Sequence, residues 1–166
     1  EGSDIILTSG GVSAGKFDLM QEVLSDLGFE SIFCKVNIKP GKPLLFAKIT
    51  QAGKTILLFG LPGNPVSAFV TFHLFVRDPI LEIMSGLKQE TQTAFLKDKI
   101  CKSDRKTHFV RGIIEFDRTN GRNTVMPSVN QSSSNMSGLS RSNALIVVGE
   151  NMIDPEKGAS VECIMI

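Results

Sequence analysis

The chain has 166 residues, 42% of them hydrophobic, and a formal net charge of +1. That length fits one domain or two small ones, the apolar content excludes wholesale disorder, and the near-zero charge gives no global reason to expect a nucleic acid or an anionic membrane as partner. No apolar run is long enough to span a bilayer, and no signal peptide is visible.

Residues 4–8 (DIILT) form a short run rich in Ile and Leu that reads as a buried strand, closed by the glycine loop SGGVSAG at residues 9–15. A helix is expected next, because Phe17, Met20, Val23, Leu24 and Leu27 recur at helical spacing and Gly28 stands where a left-handed C-cap is wanted. Residues 31–38 (SIFCKVNI) resume strand character, and the order strand, loop, helix, strand predicts a βαβ unit in a parallel sheet. KPGKP at residues 39–43 interrupts the chain, after which LLFAKI and KTILLFG flank the turn-like QAG as a hairpin or two adjacent strands.

GLPGNPVSAF, residues 60–69, then sets two prolines around Gly63 and Asn64. Pro65 suits a first helical turn, where its missing N–H has no intrahelical partner, and Asn64 is a favoured N-cap. The pattern predicts a helix from about Val66 to Ser85, kinked near Asp78–Pro79 and ended by Gly86. Beyond it the texture becomes β-like and turn-rich, with short runs at AFLKDKI, HFVRGIIEF, TVMPSV, ALIVVG and ASVECIMI. A boundary near residue 87 would separate an α/β part, residues 1–86, from a small barrel or sandwich, residues 87–166. The stretch from Ser128 to Ser142 carries seven serines and reads equally as an ordered functional loop or a linker.

The absence of Trp and Tyr leaves eleven Phe, with Leu, Ile and Val, to build the core. Cys34, Cys101 and Cys163 are far apart and form no zinc or redox spacing; they read as buried thiols in a reducing compartment, with the cytoplasm as default. Glu1 opens almost directly onto an apolar strand, which suggests a segment whose beginning lies upstream.

Local charge is more telling than the total. No carboxylate occurs from Ser31 through Arg77, whereas Lys35, Lys39, Lys42, Lys48 and Lys54 do, and a second acid-free stretch runs from Arg118 to Gly149. A cleft built from these segments would attract a small polyanion or a tetrahedral oxyanion, but on charge alone a solvated basic face is the favoured reading. SGGVSAG could meet a phosphate with backbone amides at a helix start, yet it is neither a dinucleotide fingerprint nor a Walker loop, and a tight turn needing glycine explains it too. In IKPGKP the prolines would present Lys39 and Lys42 from a stiff backbone; Lys35, four residues before Lys39, shares a strand face with it. Asp18 is either a first-turn acid favoured by the helix dipole or a metal-binding or acid–base carboxylate. His73 and His108 read as packing or surface residues. Arg111, within an apolar strand, is unexpected unless it faces solvent or an anion.

SGGVSAG, KPGKP and GLPGNPVSA, in this order and followed by SGLSRSNALIVV, resemble the molybdopterin molybdenumtransferases: bacterial MoeA, plant molybdenum insertases and the gephyrin E domain. The resemblance covers essentially the whole chain but only the later part of that architecture. It implies a three-layer α/β molybdopterin-binding subdomain with a mostly parallel sheet, incomplete at its N-terminus, followed by a small all-β barrel. The reaction it implies joins molybdate to adenylylated molybdopterin, with Mg²⁺, to give molybdenum cofactor and AMP, in a cytoplasmic homodimer assembled through the full-length chain. A molybdopterin adenylyltransferase is an implied partner.

By the same resemblance Gly10, Gly11 and Ser13 approach phosphate or pterin, and Asp18 handles Mg²⁺ or hydrolysis of the adenylyl bond. Lys35, Lys39, Lys42 and Pro43 match the basic segment that binds oxyanion or phosphate, and Pro62, Asn64, Pro65 and Ser67 match the second proline loop. Arg111 and a late-loop serine, taken as Ser137 with Gly138 or Ser140 as alternatives for the same place, close over molybdate. Lys16 stands where the family carries Asp or Glu, and Ala14 where it carries Val or Met. Two other readings remain: a gephyrin-like scaffold or binding module, favoured by Lys16 and the missing front half, and a molybdopterin adenylyltransferase-like enzyme, disfavoured by the β part.

Overall fold

A computed structural model describes residues 2–11, 17–86, 90–132 and 136–166, with side chains described from residue 20 in the first helix and from residue 138 in the last. The chain packs into two units: residues 1–36 with 41–76, and residues 37–40 with 77–166.

In the first unit a four-stranded sheet has the order β1 (Ile5–Ser9), β5 (Lys54–Leu61), β4 (Pro43–Gln51), β2 (Glu30–Lys35). β1 pairs with β5 in parallel, while β4 is antiparallel to both β5 and β2. The sheet is therefore mixed, which corrects the expectation of a mostly parallel one. The crossover from β1 through helix α1 (Phe17–Asp26) does lead to a co-directional strand, but the β4–β5 hairpin inserts between the two. That hairpin closes through Ala52 and Gly53, both with positive φ, the backbone that a tight two-residue turn between twisted strands selects.

The two faces of this sheet bury different side chains, as the period-two alternation of strands requires. Leu24 of α1 packs on Leu45, Ala47 and Leu58. The opposite face carries a row of rings: Phe59 stacks on Phe46 at 4.8 Å, Phe46 meets Phe33 at 5.5 Å, and Phe75 of helix α2 (Pro65–Phe75) meets Phe33 edge-on at 6.5 Å. Helices thus cover both faces, and the three-layer arrangement is present.

The second unit is a closed five-stranded barrel. Strand β7 (Thr107–Asp117) pairs through its first half with β9 (Ala144–Val148) and through its second half with β8 (Arg122–Pro127). β8 pairs with β6 (Thr91–Leu96), β6 with β10 (Ser160–Met165), and β10 with β9, which closes the ring. Closure leaves no free barrel edge, and the interior is filled by Val110, Ile114, Val125, Ile146, Val148 and Val161. A two-residue strand, β3 (Ile38–Lys39), lies parallel along the part of the β7 edge that β8 does not reach. Helix α4 (Met136–Ser140) precedes β9.

The long helix expected over 66–85 is two helices, α2 and α3 (Arg77–Ser85), broken at Val76. Pro79 is the third residue of α3, inside the first turn, where a missing N–H disturbs nothing; it starts a helix here instead of kinking one. The division at Val76–Arg77 assigns α3 to the barrel unit, ahead of the boundary drawn near residue 87.

Candidate functional site

Strands β1, β5 and β2 run in one direction and β4 in the other, so three C-termini and one N-terminus meet at a single end of the sheet. The register fixes who stands there: Ser9 opposite Leu61, Gly60 opposite Leu45, and Lys35 opposite Pro43. The loops leaving β1 and β5 touch. The Gly10 N–H donates to the Leu61 carbonyl at 3.1 Å, and a Cβ added at Gly63 would lie 3.5 Å from the Gly10 Cα. Gly10 and Gly11 have φ of 84° and 76°, consecutive left-handed residues that side chains disfavour, so the loop needs glycine for its own path. Lys42 precedes Pro43 at the same end, and its carbonyl accepts from the Val36 N–H at 3.0 Å. The Thr8 hydroxyl, near the end of β1, is buried without a partner among the described residues.

Pro62, buried, leads out of β5; Pro65 is the first residue of α2. Asn64 is the N-cap, with φ −75° and ψ 124°, and its Oδ1 accepts from the Val66 N–H at 3.1 Å and the Ser67 N–H at 3.2 Å. The Ala68 N–H donates to the Asn64 carbonyl at 2.8 Å. Pro65 has no N–H, so every N–H of the first turn is either absent or satisfied. Helix α2 therefore contributes the field of its dipole, while its first-turn donors are spent on the cap. Ser67 is buried.

Charge is sorted along this sheet. Lys54, at the hairpin end, pairs with Asp4 at 3.0 Å, and Lys48 pairs with Glu30 at 3.3 Å. Lys42, at the loop end, is exposed and makes no ion pair among the described residues. Exposed pairs are worth little in stability, but pairing cancels field, so positive potential survives where the Gly10 and Pro62–Asn64 loops meet.

The remaining expected residues lie elsewhere or outside the description. Lys39 is exposed on β3 of the barrel unit, opposite His108. Arg111 also belongs to the barrel unit and faces neither solvent nor strand neighbours alone. It is 1% exposed, and its guanidinium donates to the Asn130 and Ser132 carbonyls at 3.0 and 3.1 Å. Burial holds its pKa below the usual value for arginine. Ser13, like Ala14 and Lys16, lies outside the described residues; Asp18 falls in the first turn of α1 and Ser137 in α4, with their side chains outside the description. Among the described residues no group of three His, Cys, Asp or Glu could hold a metal, and no helix is long and apolar enough to cross a membrane.

Two residues that sequence reasoning passed over shape the barrel unit. Gln131 acts as a substitute strand partner for Arg111: its Oε1 accepts from the Arg111 N–H at 3.1 Å and its Nε2 donates to the Arg111 carbonyl at 2.9 Å. Lys102 is 1% exposed inside a cage of carbonyls. Neither has a sequence signal, since a polar residue in a polar loop reads as solvated. His108, expected to pack or lie at the surface, is buried, and its Nε2 is 2.7 Å from Asp104 Oδ1. Hydrogen bonds from the Lys106 N–H and from His108 hold the Asp104 pKa below the usual carboxylate range.

Residues 1–100 match the family model described as "Probable molybdopterin binding domain", and residues 93–166 match the one described as "MoeA C-terminal region (domain IV)". The chain belongs to the molybdopterin-binding domain family. Among its relatives, gephyrin of Dictyostelium discoideum is 36% identical over 99% of this chain and 26% of its own length. The molybdopterin molybdenumtransferase of Nostoc sp. is 33% identical over 96% of this chain and 37% of its own length. The crystal structure of the molybdopterin biosynthesis MoeA protein from Pyrococcus horikoshii aligns with a TM-score of 0.68 at 25% identity, covering 98% of this chain and 35% of that one. The chain therefore spans about a quarter to two-fifths of the length of these molybdopterin-family relatives.

Proposed function

We propose that this chain carries part of the active site of a molybdopterin molybdenumtransferase, which joins molybdate to adenylylated molybdopterin and releases molybdenum cofactor and AMP. The observation that carries the reading is the meeting of the Gly10 and Pro62–Asn64 loops at the sheet end that also bears Lys35 and Lys42. Ligands of open α/β sheets sit outside the carboxyl ends of strands, and here that end combines cations, a helix dipole and close-approaching glycine backbone. Lys35, Lys42 and the Asn64 amide NH₂ are assigned to the anionic groups of the guest, and Gly10, Gly11, Pro43, Pro62, Pro65 and Ser67 to its walls. Lys39, Arg111, Ser13, Ser137 and Asp18 are assigned by motif.

Among the described residues no group of three His, Cys, Asp or Glu could hold Mg²⁺, and Asp18 is assigned to the ion by motif alone. The closed barrel weighs against the adenylyltransferase-like alternative, whose fold resembles only the α/β part. A homodimer, an adenylyltransferase partner and a cytoplasmic location accompany the proposal. The test is AMP release by the full chain supplied with adenylylated molybdopterin and molybdate. Release above that of the Lys39→Ala and Asp18→Ala proteins is expected; release no greater than theirs rejects the enzymatic reading.

A further inference from the structure

The segment Asn37–Pro40 packs with the barrel unit although the residues on both sides of it belong to the sheet unit. A strand of two residues has little hold of its own. Ile38 and Lys39 align with Thr107 and His108, Ile38 is buried, and the Thr107 N–H donates to the Asn37 carbonyl at 3.1 Å. The further hold comes from a side chain. Asn37 Nδ2 donates to Glu150 Oε1 at 2.9 Å and to the Arg105 carbonyl at 3.3 Å, reaching two loops that are far apart in sequence.

Those two loops are themselves tied together from below. Lys102 Nζ donates to the Asp104 carbonyl at 2.9 Å and to the Glu150 carbonyl at 3.2 Å, and the Lys102 N–H donates to Asp154 Oδ1 at 2.7 Å. A buried ammonium held, among the described residues, by two carbonyls is a costly arrangement. Its geometric result is a fixed separation between the residue 104–105 turn and Glu150, the two points that Asn37 spans.

We propose that Asn37, with Glu150 as its acceptor, is a positioning residue for Lys39. The barrel, by gripping Asn37, fixes the backbone from which the Lys39 side chain projects. The inference rests on the reading of Lys39 as an oxyanion-binding lysine. A long ammonium side chain already loses rotamer freedom when it binds, and a backbone held in advance spares the further loss of ordering its own segment. Losing one hydrogen bond of this kind converts to a loss of affinity of about three- to tenfold.

The test is molybdate binding by calorimetry on the full chain, with melting temperature followed in parallel. Asn37→Ala and Glu150→Ala are expected to weaken binding about three- to tenfold with little change in melting, while Glu150→Gln, which keeps an oxygen acceptor, binds as the wild type does. In the Lys39→Ala background, Asn37→Ala is expected to cause no further loss, because the residue it positions is gone. Unchanged binding in Asn37→Ala alongside weakened binding in Lys39→Ala overturns the inference, as does an equal Asn37→Ala loss in both backgrounds. A Glu150→Gln protein as weak as Glu150→Ala overturns the assignment of Glu150 as acceptor. Wild-type binding by Lys39→Ala removes the reading of Lys39 itself, a result distinct from the others.

Discussion

Replacing Asn64 separates the cap it forms from the role toward an anionic guest proposed for it. As a cap, its Oδ1 accepts from two amides at 3.1 and 3.2 Å. Asn64→Ala removes both bonds and is expected to cost about 1 kcal/mol of stability, within a range of about 0.5–2. Asn64→Asp keeps an oxygen in place and adds a negative charge at the positive end of α2, which is worth about 0.3–1 kcal/mol in favour of the fold. The same charge opposes an anionic guest. At ~5–6 Å and an effective dielectric of ~20–40 the repulsion is on the order of 2 kcal/mol per unit charge, or about thirtyfold in affinity. The two variants should therefore part company: Ala less stable, Asp at least as stable as wild type but about thirtyfold or more weaker for molybdate. Urea unfolding followed by circular dichroism and calorimetric titration with molybdate measure the two quantities on the full chain. An Asp variant that binds molybdate as well as wild type refutes the placement of the guest at this sheet end. One as unstable as the Ala variant refutes the cap.

Gly112 lies where β7 passes from its β9 partner to its β8 partner, and a Cβ there would sit 2.9 Å from both the Met126 carbonyl and Ile146 Cδ1. Gly112→Ala must move backbone, so a loss of about 1–3 kcal/mol in urea unfolding is expected, and wild-type stability would show that the barrel yields there without strain. The cysteines divide by burial: Cys101 is exposed, which corrects its reading as a buried thiol, whereas Cys163 is buried in the barrel. Burial, with a smaller contribution from Glu162, pushes the Cys163 thiol up to about 11. At pH 8 only about one Cys163 in a thousand is then thiolate. Maleimide should label native Cys101 fast and spare Cys163 until the protein unfolds; equal rates at the two thiols would contradict the barrel packing.

Elements set by local chemistry were legible in the sequence, and choices between distant partners were not. The β4–β5 hairpin, the Gly28 helix end and the Asn64–Pro65 helix start follow from turn and cap residues that act within a few positions. Strand order does not. Nothing local to DIILT or SIFCKV says that a hairpin will insert between β1 and β2, so that β1 pairs in parallel with β5 and β2 gains an antiparallel neighbour, β4, instead of the two pairing with each other. Proline carried two meanings, and the position of Pro79 relative to a helix start decided between them only once the break at Val76 was known. Lys102 and Arg111 show the same limit for charge. Each is buried with at least one loop carbonyl distant in sequence as its acceptor, Glu150 for Lys102 and Asn130 and Ser132 for Arg111, and a linear pattern holds no record of that gathering.

The proline loop also distinguishes this sheet end from a phosphate-binding loop. Such loops leave the first amides of a helix bare, so that the ligand completes them. In α2 the same positions are closed before any guest arrives: Pro65 lacks the donor, Asn64 Oδ1 takes two, and the Asn64 carbonyl takes the Ala68 N–H. Pro62 and Pro65 restrict the backbone on either side of that cap, and the cap engages the Asn64 Oδ1 and carbonyl but not its NH₂ group. On the proposed reading, a guest at this end meets a preformed positive potential and the side chains of Lys35 and Lys42, and α2 adds its dipole but no bare first-turn amide. Recognition of that kind selects for charge more than for the shape of a phosphate, and it suits a small oxyanion that must be held and then given up.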